Sequence, residues 1–208
     1  EAGFVQVTFG IESFDDGILM AMQKGTTAAC NIRAIDCCFA ASMIPGLDMM
    51  FFTPWETVET ASRSASFCLD FAARGALISI TPRMFSHFGD QYSRTVPTAV
   101  TSKMIQFRFT GEKLRIPGEA VLSGKMEILR QKTLERQRIL ESEFTEVHPH
   151  HNPSPAIKGL LFIQALGETL EGGGLYTEKI PKINLTKSQS IVELIVKAES
   201  TIDRKLPP

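Results

Sequence analysis

Two apolar segments that each run straight into a polar helix start constrain this chain more than any other feature. The first is Phe4-Val5-Gln6-Val7-Thr8-Phe9, followed by Gly10-Ile11-Glu12-Ser13. The second covers residues 47–52 and leads into Thr53-Pro54-Trp55-Glu56-Thr57. Alternation and β-branched content predict a strand in the first; the second, apolar apart from Asp48, predicts a strand buried on both faces. Between them, Ser13 followed by Asp16 has capping-box spacing and predicts a short helix over 14–22, stopped at Lys24-Gly25. Thr26 or Thr27 opens another helix that runs to about residue 42. Its buried stripe is Ile32, Ile35 and Phe39, and Pro45-Gly46 lies beyond its end.

After the second strand, Thr53 reads as a cap, Pro54 suits the first helical position, and Glu56 completes a capping box. The helix that follows buries Val58, Ala61, Ala65, Cys68, Leu69 and Ala72 and stops at Gly75. Residues 76–81 form a third strand. Strands separated by helices imply βαβ crossovers and a parallel sheet. In such folds ligand sites form where strands stop and helix N-termini expose unpaired N–H groups.

Beyond Pro82 the pattern changes. Residues 84–102 read as a loop. Residues 105–109 and 113–116 flank Thr110-Gly111-Glu112 as a hairpin. Pro117-Gly118 precedes a long helix over 119–142, whose interspersed acidic and basic residues predict a solvated face rather than a nucleic-acid patch. His148-Pro149-His150-His151-Asn152-Pro153 is a stiff surface loop without a recognised metal-ligand spacing. A helix over 156–170 ends at Gly172-Gly173-Gly174, and Ile191, Leu194, Ile195 and Ala198 stripe the last helix. The expected division is 1–103 for the strand-and-helix repeat and 104–208 for a hairpin plus a mostly helical region.

With 208 residues, 43% of them hydrophobic and 22% charged, the composition is that of one globular domain or one domain with an appendage. The formal net charge of −1 supplies no general attraction to nucleic acid or to anionic membrane. No apolar run is long enough to span a bilayer. Cys30, Cys37, Cys38 and Cys68 show no CxxC spacing and read as buried, reduced thiols, which places the expectation in the cytoplasm. The chain does not open on Met, and its first strand starts almost at once, so it reads as the later part of a larger protein.

Phe9-Gly10-Ile11-Glu12-Ser13-Phe14-Asp15-Asp16, with Ile18-Leu19, Met22, Lys24-Gly25-Thr26-Thr27 and Asn31-Ile32-Arg33-Ala34, resembles the radical S-adenosylmethionine (SAM) superfamily, above all its cobalamin-associated branch. There the pattern is the fourth strand and helix of a partial (β/α)₆ barrel. Phe51-Phe52-Thr53-Pro54-Trp55-Glu56-Thr57 resembles the fifth strand and its turn. Pro82-Arg83 and Gly89 resemble the sixth strand and following loop. The likeness covers residues 1–92. It implies an α/β fold, a fragment of a partial (β/α) barrel with parallel strands, followed by the hairpin and helical region.

The resemblance implies an enzyme that binds a four-iron cluster (4Fe-4S) through a CxxxCxxC loop and cleaves S-adenosylmethionine reductively to drive a radical reaction, in this branch often methyl transfer from cobalamin. It implies that Glu12 and Ser13 hold the ribose or methionine part of SAM, and that the segment around Phe51, Phe52 and Thr53 lies along the adenine. A carboxylate and a hydroxyl at a strand end suit ribose hydroxyls or an ammonium group. Each also has a structural role open to it: Ser13 as a helix cap, Glu12 in an ion pair, Glu56 in its capping box. Trp55 reads as core or wall, and Arg33 as a surface residue.

The chain departs from the family pattern in three places. It carries no CxxxCxxC loop and no cobalamin-binding module, and Phe52 stands where many members have Gly. No catalytic residue and no cluster ligand is therefore expected within the chain, and the fragment by itself is expected to be inactive. Its partners are an unknown small-molecule or peptide substrate and the missing N-terminal half of the barrel in the same polypeptide. The alternative is a non-catalytic half barrel kept as a binding or assembly module.

Overall fold

Strands β1 (Gln6–Glu12), β2 (Ile44–Met50) and β3 (Leu77–Thr81) lie side by side in that order, and both pairs run parallel. They are the centre of the computed structural model, which describes residues 5–83, 85–86, 98–99, 104–106, 113–115, 118–120, 122–175 and 180–203. Helices α1 (Asp16–Ala21) and α2 (Ala28–Ala40) connect β1 to β2, and α3 (Val58–Ala73) connects β2 to β3. The α/β class and the parallel sheet expected from the sequence are what the chain forms.

Several boundaries differ, each for a local reason. The first helix is capped by Asp15, whose Oδ1 accepts the Ile18 N–H at 3.1 Å, because the Ser13 hydroxyl is engaged by the Asp15 N–H at 3.1 Å. The second strand starts at Ile44, so Pro45-Gly46 lies inside it. The Ile44 N–H donates to the Val5 carbonyl on the β1 side. The direction in which Pro45 lacks a donor is therefore the other side, where β3 begins pairing only at Gly46 opposite Leu77.

The third helix is capped by Thr57, not Thr53. Thr57 and Thr60 exchange side chain and backbone in a capping box of their own, with Thr60 N–H to Thr57 Oγ1 at 3.2 Å and Thr57 N–H to Thr60 Oγ1 at 2.9 Å. Thr53-Pro54-Trp55-Glu56 is instead a β-turn closed by the Glu56 N–H on the Thr53 carbonyl at 3.1 Å, with Pro54 at its favoured second position.

The sheet has two unlike faces. Ile11, Leu47, Met49, Phe51 and Ile78 are buried against the helices, together with all six apolar positions expected of α3. On the opposite face Gln6, Thr8, Gly10 and Asp48 are exposed. The expected burial of the second strand on both faces fails at Asp48, whose carboxylate holds that face to water.

Farther on, β4 (Phe85–Ser86) and β5 (Thr98–Ala99) both pair antiparallel with a strand over Gly118–Ala120, and β6 (Met104–Gln106) pairs antiparallel with β7 (Lys113–Arg115). The β6–β7 pair is the expected hairpin; its turn lies outside the described residues. The strand over Gly118–Ala120, β8, occupies the start expected for the long helix. That helix, α4 (Gly124–Val147), begins after Ser123, whose side chain accepts the Met126 N–H. Residues 84–102 include β4 and β5 where a loop was expected, and Gly89 lies outside the described residues.

Helix α5 (Pro155–Gly172) packs on β3, α4 and α6 (Leu185–Asp203), and its Leu160, Phe162, Ile163 and Leu166 join the core beneath the sheet. Its approach to β3 depends on one glycine. The Phe51 N–H donates to the Thr81 carbonyl, so alternation along β3 turns the Ile78 carbonyl outward, away from β2. Gly159 lies against that carbonyl so closely that a Cβ there would stand 2.3 Å from the oxygen. Helix α5 thus covers the outer edge of β3, while at the other edge Val5 is exposed and, among the described residues, no strand pairs with the outer side of β1. On α6 Ile191 is buried as expected, but Leu194 is exposed and Val192 and Val196 take the buried positions.

Candidate functional site

The C-terminal ends of β1 and β2 form one rim of the sheet, and both leave their strand through a left-handed residue that is not glycine. Glu12 has φ 62° and Phe52 has φ 58°. Such a conformation costs roughly 1 kcal/mol or more in a side-chain-bearing residue, so the surroundings must hold it.

At the end of β1 the ladder is irregular between Gly10 and Glu12. The Glu12 carboxylate lies over Gly10, where an added Cβ would meet Oε1 at 2.9 Å, and pairs with Lys24 Nζ at 3.0 Å. Ser13 is buried; its N–H returns to the Ile11 carbonyl at 2.7 Å. Asn31 on α2 clamps the same turn, its Nδ2 donating to the Ile11 carbonyl at 3.2 Å and the Ser13 carbonyl at 3.4 Å. The sequence reading quoted Asn31 only as part of Asn31-Ile32-Arg33-Ala34 and gave it no role. The available signal was a poor helix former one turn past a cap, which needs a tertiary reason to be there.

At the end of β2 the left-handed turn is held by Glu56, whose buried carboxylate accepts a hydrogen bond from the Phe52 N–H. Burial pushes the Glu56 carboxyl up to about 8, against the opposing pull of the Phe52 and Thr53 N–H groups, and the charge of Asp15 pushes the same way as burial. The Thr53 hydroxyl is buried and has no hydrogen-bond partner among the described residues. Phe51 and Phe52 are turned into the core, with ring centroids 5.2 Å and 5.9 Å from Phe162 of α5.

The sequence-derived positions thus fall into two groups. Glu12 is on the surface of the rim, already paired with Lys24. Thr53 carries an unspent hydroxyl just beneath. Ser13 is engaged in the turn, the rings of Phe51 and Phe52 serve packing, and their N–H groups donate to the Thr81 carbonyl and the Glu56 side chain.

The cysteines do not converge. Cys30 and Cys37 are exposed on α2, contrary to the expected burial, while Cys38 and Cys68 are buried. The Cys30 thiol is drawn below its ordinary range by the Thr27 hydroxyl and by Arg33, whose Nη2 lies 3.1 Å from the sulfur. Among the described residues no three His, Cys, Asp or Glu side chains stand close enough together to hold a metal, and no helix is long and apolar enough to cross a membrane. No family model, curated protein or solved structure matches the chain.

Proposed function

We propose that the chain is the C-terminal part of a radical SAM enzyme of the cobalamin-associated kind, acting on a substrate the residues do not identify. The observation that carries this reading is the pair of neighbouring parallel strands that end in left-handed residues, Glu12 and Phe52, with the buried Thr53 hydroxyl next in the chain and without a partner among the described residues. The donor set suits S-adenosylmethionine. Glu12 accepts from ribose hydroxyls or from the methionine ammonium, exchanging its Lys24 partner, and the Thr53 hydroxyl, without a partner among the described residues, pairs with a polar atom of the ligand. When bound, SAM supplies radical chemistry on one-electron reduction by a four-iron cluster, whose thiolates belong to a CxxxCxxC loop outside these residues.

The role of this part of the chain is binding and orientation. Asn31 and Glu56 fix the two strand-end turns, and the turns fix where Glu12 and Thr53 stand. In the polypeptide that carries the cluster loop, Glu12→Ala is expected to weaken SAM binding by about 1.5–3 kcal/mol, the usual range for a hydrogen bond to a charged group. Isothermal titration checks it; unchanged affinity returns Glu12 to its ion pair. Reading the coding frame upstream of Glu1 is the cheaper test, since a frame with a start codon and no CxxxCxxC rejects the enzyme.

The outer edge of β1, which no strand pairs with among the described residues, supports a second reading, a binding or assembly module completed by a strand from elsewhere. It requires a partner strand alongside β1 and no SAM binding.

A further inference from the structure

Away from the sheet, α4 and the end of α5 enclose a groove of about 390 Å³. Its walls are Ile128, Leu129, Gly173 and Leu175, and its two charged residues are Lys125 and Lys132; no carboxylate lines it among the described residues. The volume is within the range of small-molecule sites, and the mix of apolar wall with few polar groups is what such sites have. Gly173 keeps one wall open, since a Cβ there would reach to 3.5 Å from Leu175 and 3.0 Å from the Thr169 carbonyl. Ile128 is a large apolar side chain left exposed beside it.

The lysines are seven residues apart and so lie on one face of α4, about 10 Å apart along its axis at ~1.5 Å per residue. The adjoining groove shares Lys132 but differs in its charges. There Arg136 is already bound to Glu168 and to Glu143, the latter at 3.3 Å, and Glu168 also accepts from Gln164 at 2.9 Å. Among the described residues no ion pair or hydrogen bond engages Lys125 or Lys132, although Glu59 is near enough to Lys125 to feel its charge. The two helix ends break the symmetry between the lysines. The N-terminus of α4, at Gly124, adds partial positive charge beside Lys125, whereas the C-terminus of α5 adds partial negative charge beside Lys132.

We infer that this groove binds an apolar carboxylate, with the carboxylate at the Lys125 end and the hydrocarbon along Ile128, Leu129 and Leu175. The inference is independent of the SAM reading, because the groove lies outside the strand-end site.

The test titrates the 208-residue chain with decanoate, octanoate and decyltrimethylammonium, each below its micelle concentration, by calorimetry and by methyl NMR. Decanoate is expected to bind saturably and to shift the methyl signals of Ile128, Leu129 and Leu175. Octanoate, two methylenes shorter, is expected to bind roughly tenfold more weakly, and the cation not at all. Lys125→Glu should weaken decanoate at least about tenfold, and Lys132→Glu by less; both residues are exposed, so the fold is kept. No saturable binding, equal binding of the cation, shifts at other methyls, or indifference to Lys125→Glu each overturns the inference.

Discussion

The buried carboxylate of Glu56 accepts the backbone N–H of Phe52, the residue through which β2 leaves the sheet in a left-handed turn. A side chain read from the sequence as a helix-capping group is thus the support of a strand end. Glu56 titrates in the folded chain near 8, above its ordinary 4.5, chiefly because burial disfavours the charge. The folded state therefore holds a proton that the unfolded state has lost between those values. Stability from this group is full below about 4.5 and falls as pH rises toward about 8, by up to about 1.4 kcal/mol per pH unit. Glu56→Gln removes the titration. Denaturant unfolding at several pH values is expected to show a shallower decline for the variant than for the parent across that window, and parallel curves would refute the assignment.

The same turn makes a prediction about glycine. At Phe52 either truncation loses a ring packed on Phe162, at a cost of about 3–5 kcal/mol. Because φ is positive there, Phe52→Gly should retain about 1 kcal/mol more stability than Phe52→Ala. At Phe51, one residue earlier and not at positive φ, the order should reverse. Chemical denaturation of the four variants reads it directly.

Gly159 and Gly172 lie on one helix and should respond in opposite senses to alanine. A Cβ at Gly159 would collide with the Ile78 carbonyl, while at Gly172 it meets nothing within 4 Å. Gly159→Ala is expected to destabilise by roughly 1–3 kcal/mol through forced displacement of α5 from the β3 edge. Gly172→Ala should stabilise by up to about 1 kcal/mol. Thermal unfolding of both variants tests the packing of α5 on the sheet.

Removing the Asn31 amide leaves the Ile11 and Ser13 carbonyls without that donor. Asn31→Leu is expected to cost about 1–3 kcal/mol. It should also speed amide exchange at Glu12 and Ser13 more than at the far end of β1. Uniform exchange along the strand would show that Asn31 does not hold the turn.

The chain alone is expected to form no 5′-deoxyadenosine when reconstituted anaerobically with iron and sulfide and given SAM and dithionite. A cluster needs thiolates close together, and here two cysteines are exposed on α2 and two are buried on separate helices. Product above a cluster-only control would overturn this.

Hydrophobic periodicity alone determined that three strands alternate with helices. The α3 positions Val58, Ala61, Ala65, Cys68, Leu69 and Ala72 are buried because a 3.6-residue repeat leaves one stripe to hide. The parallel pairing followed from the crossovers. Local chemistry was less decisive where two motifs competed. Thr53-x-x-Glu56 and Thr57-x-x-Thr60 both have capping spacing, and only the tertiary structure chose between them: the Glu56 side chain is taken up by the Phe52 N–H in the core, which leaves Thr57 and Thr60 to cap the helix. The open face of β2 was legible at Asp48, a carboxylate inside an otherwise apolar stretch, which the expectation of burial on both faces passed over. The meeting of Asn31 with Ile11, of Gly159 with Ile78, and of Lys125 and Lys132 with Leu175 was beyond sequence reading altogether. Those contacts join residues far apart in the chain, and nothing local encodes the distance between them.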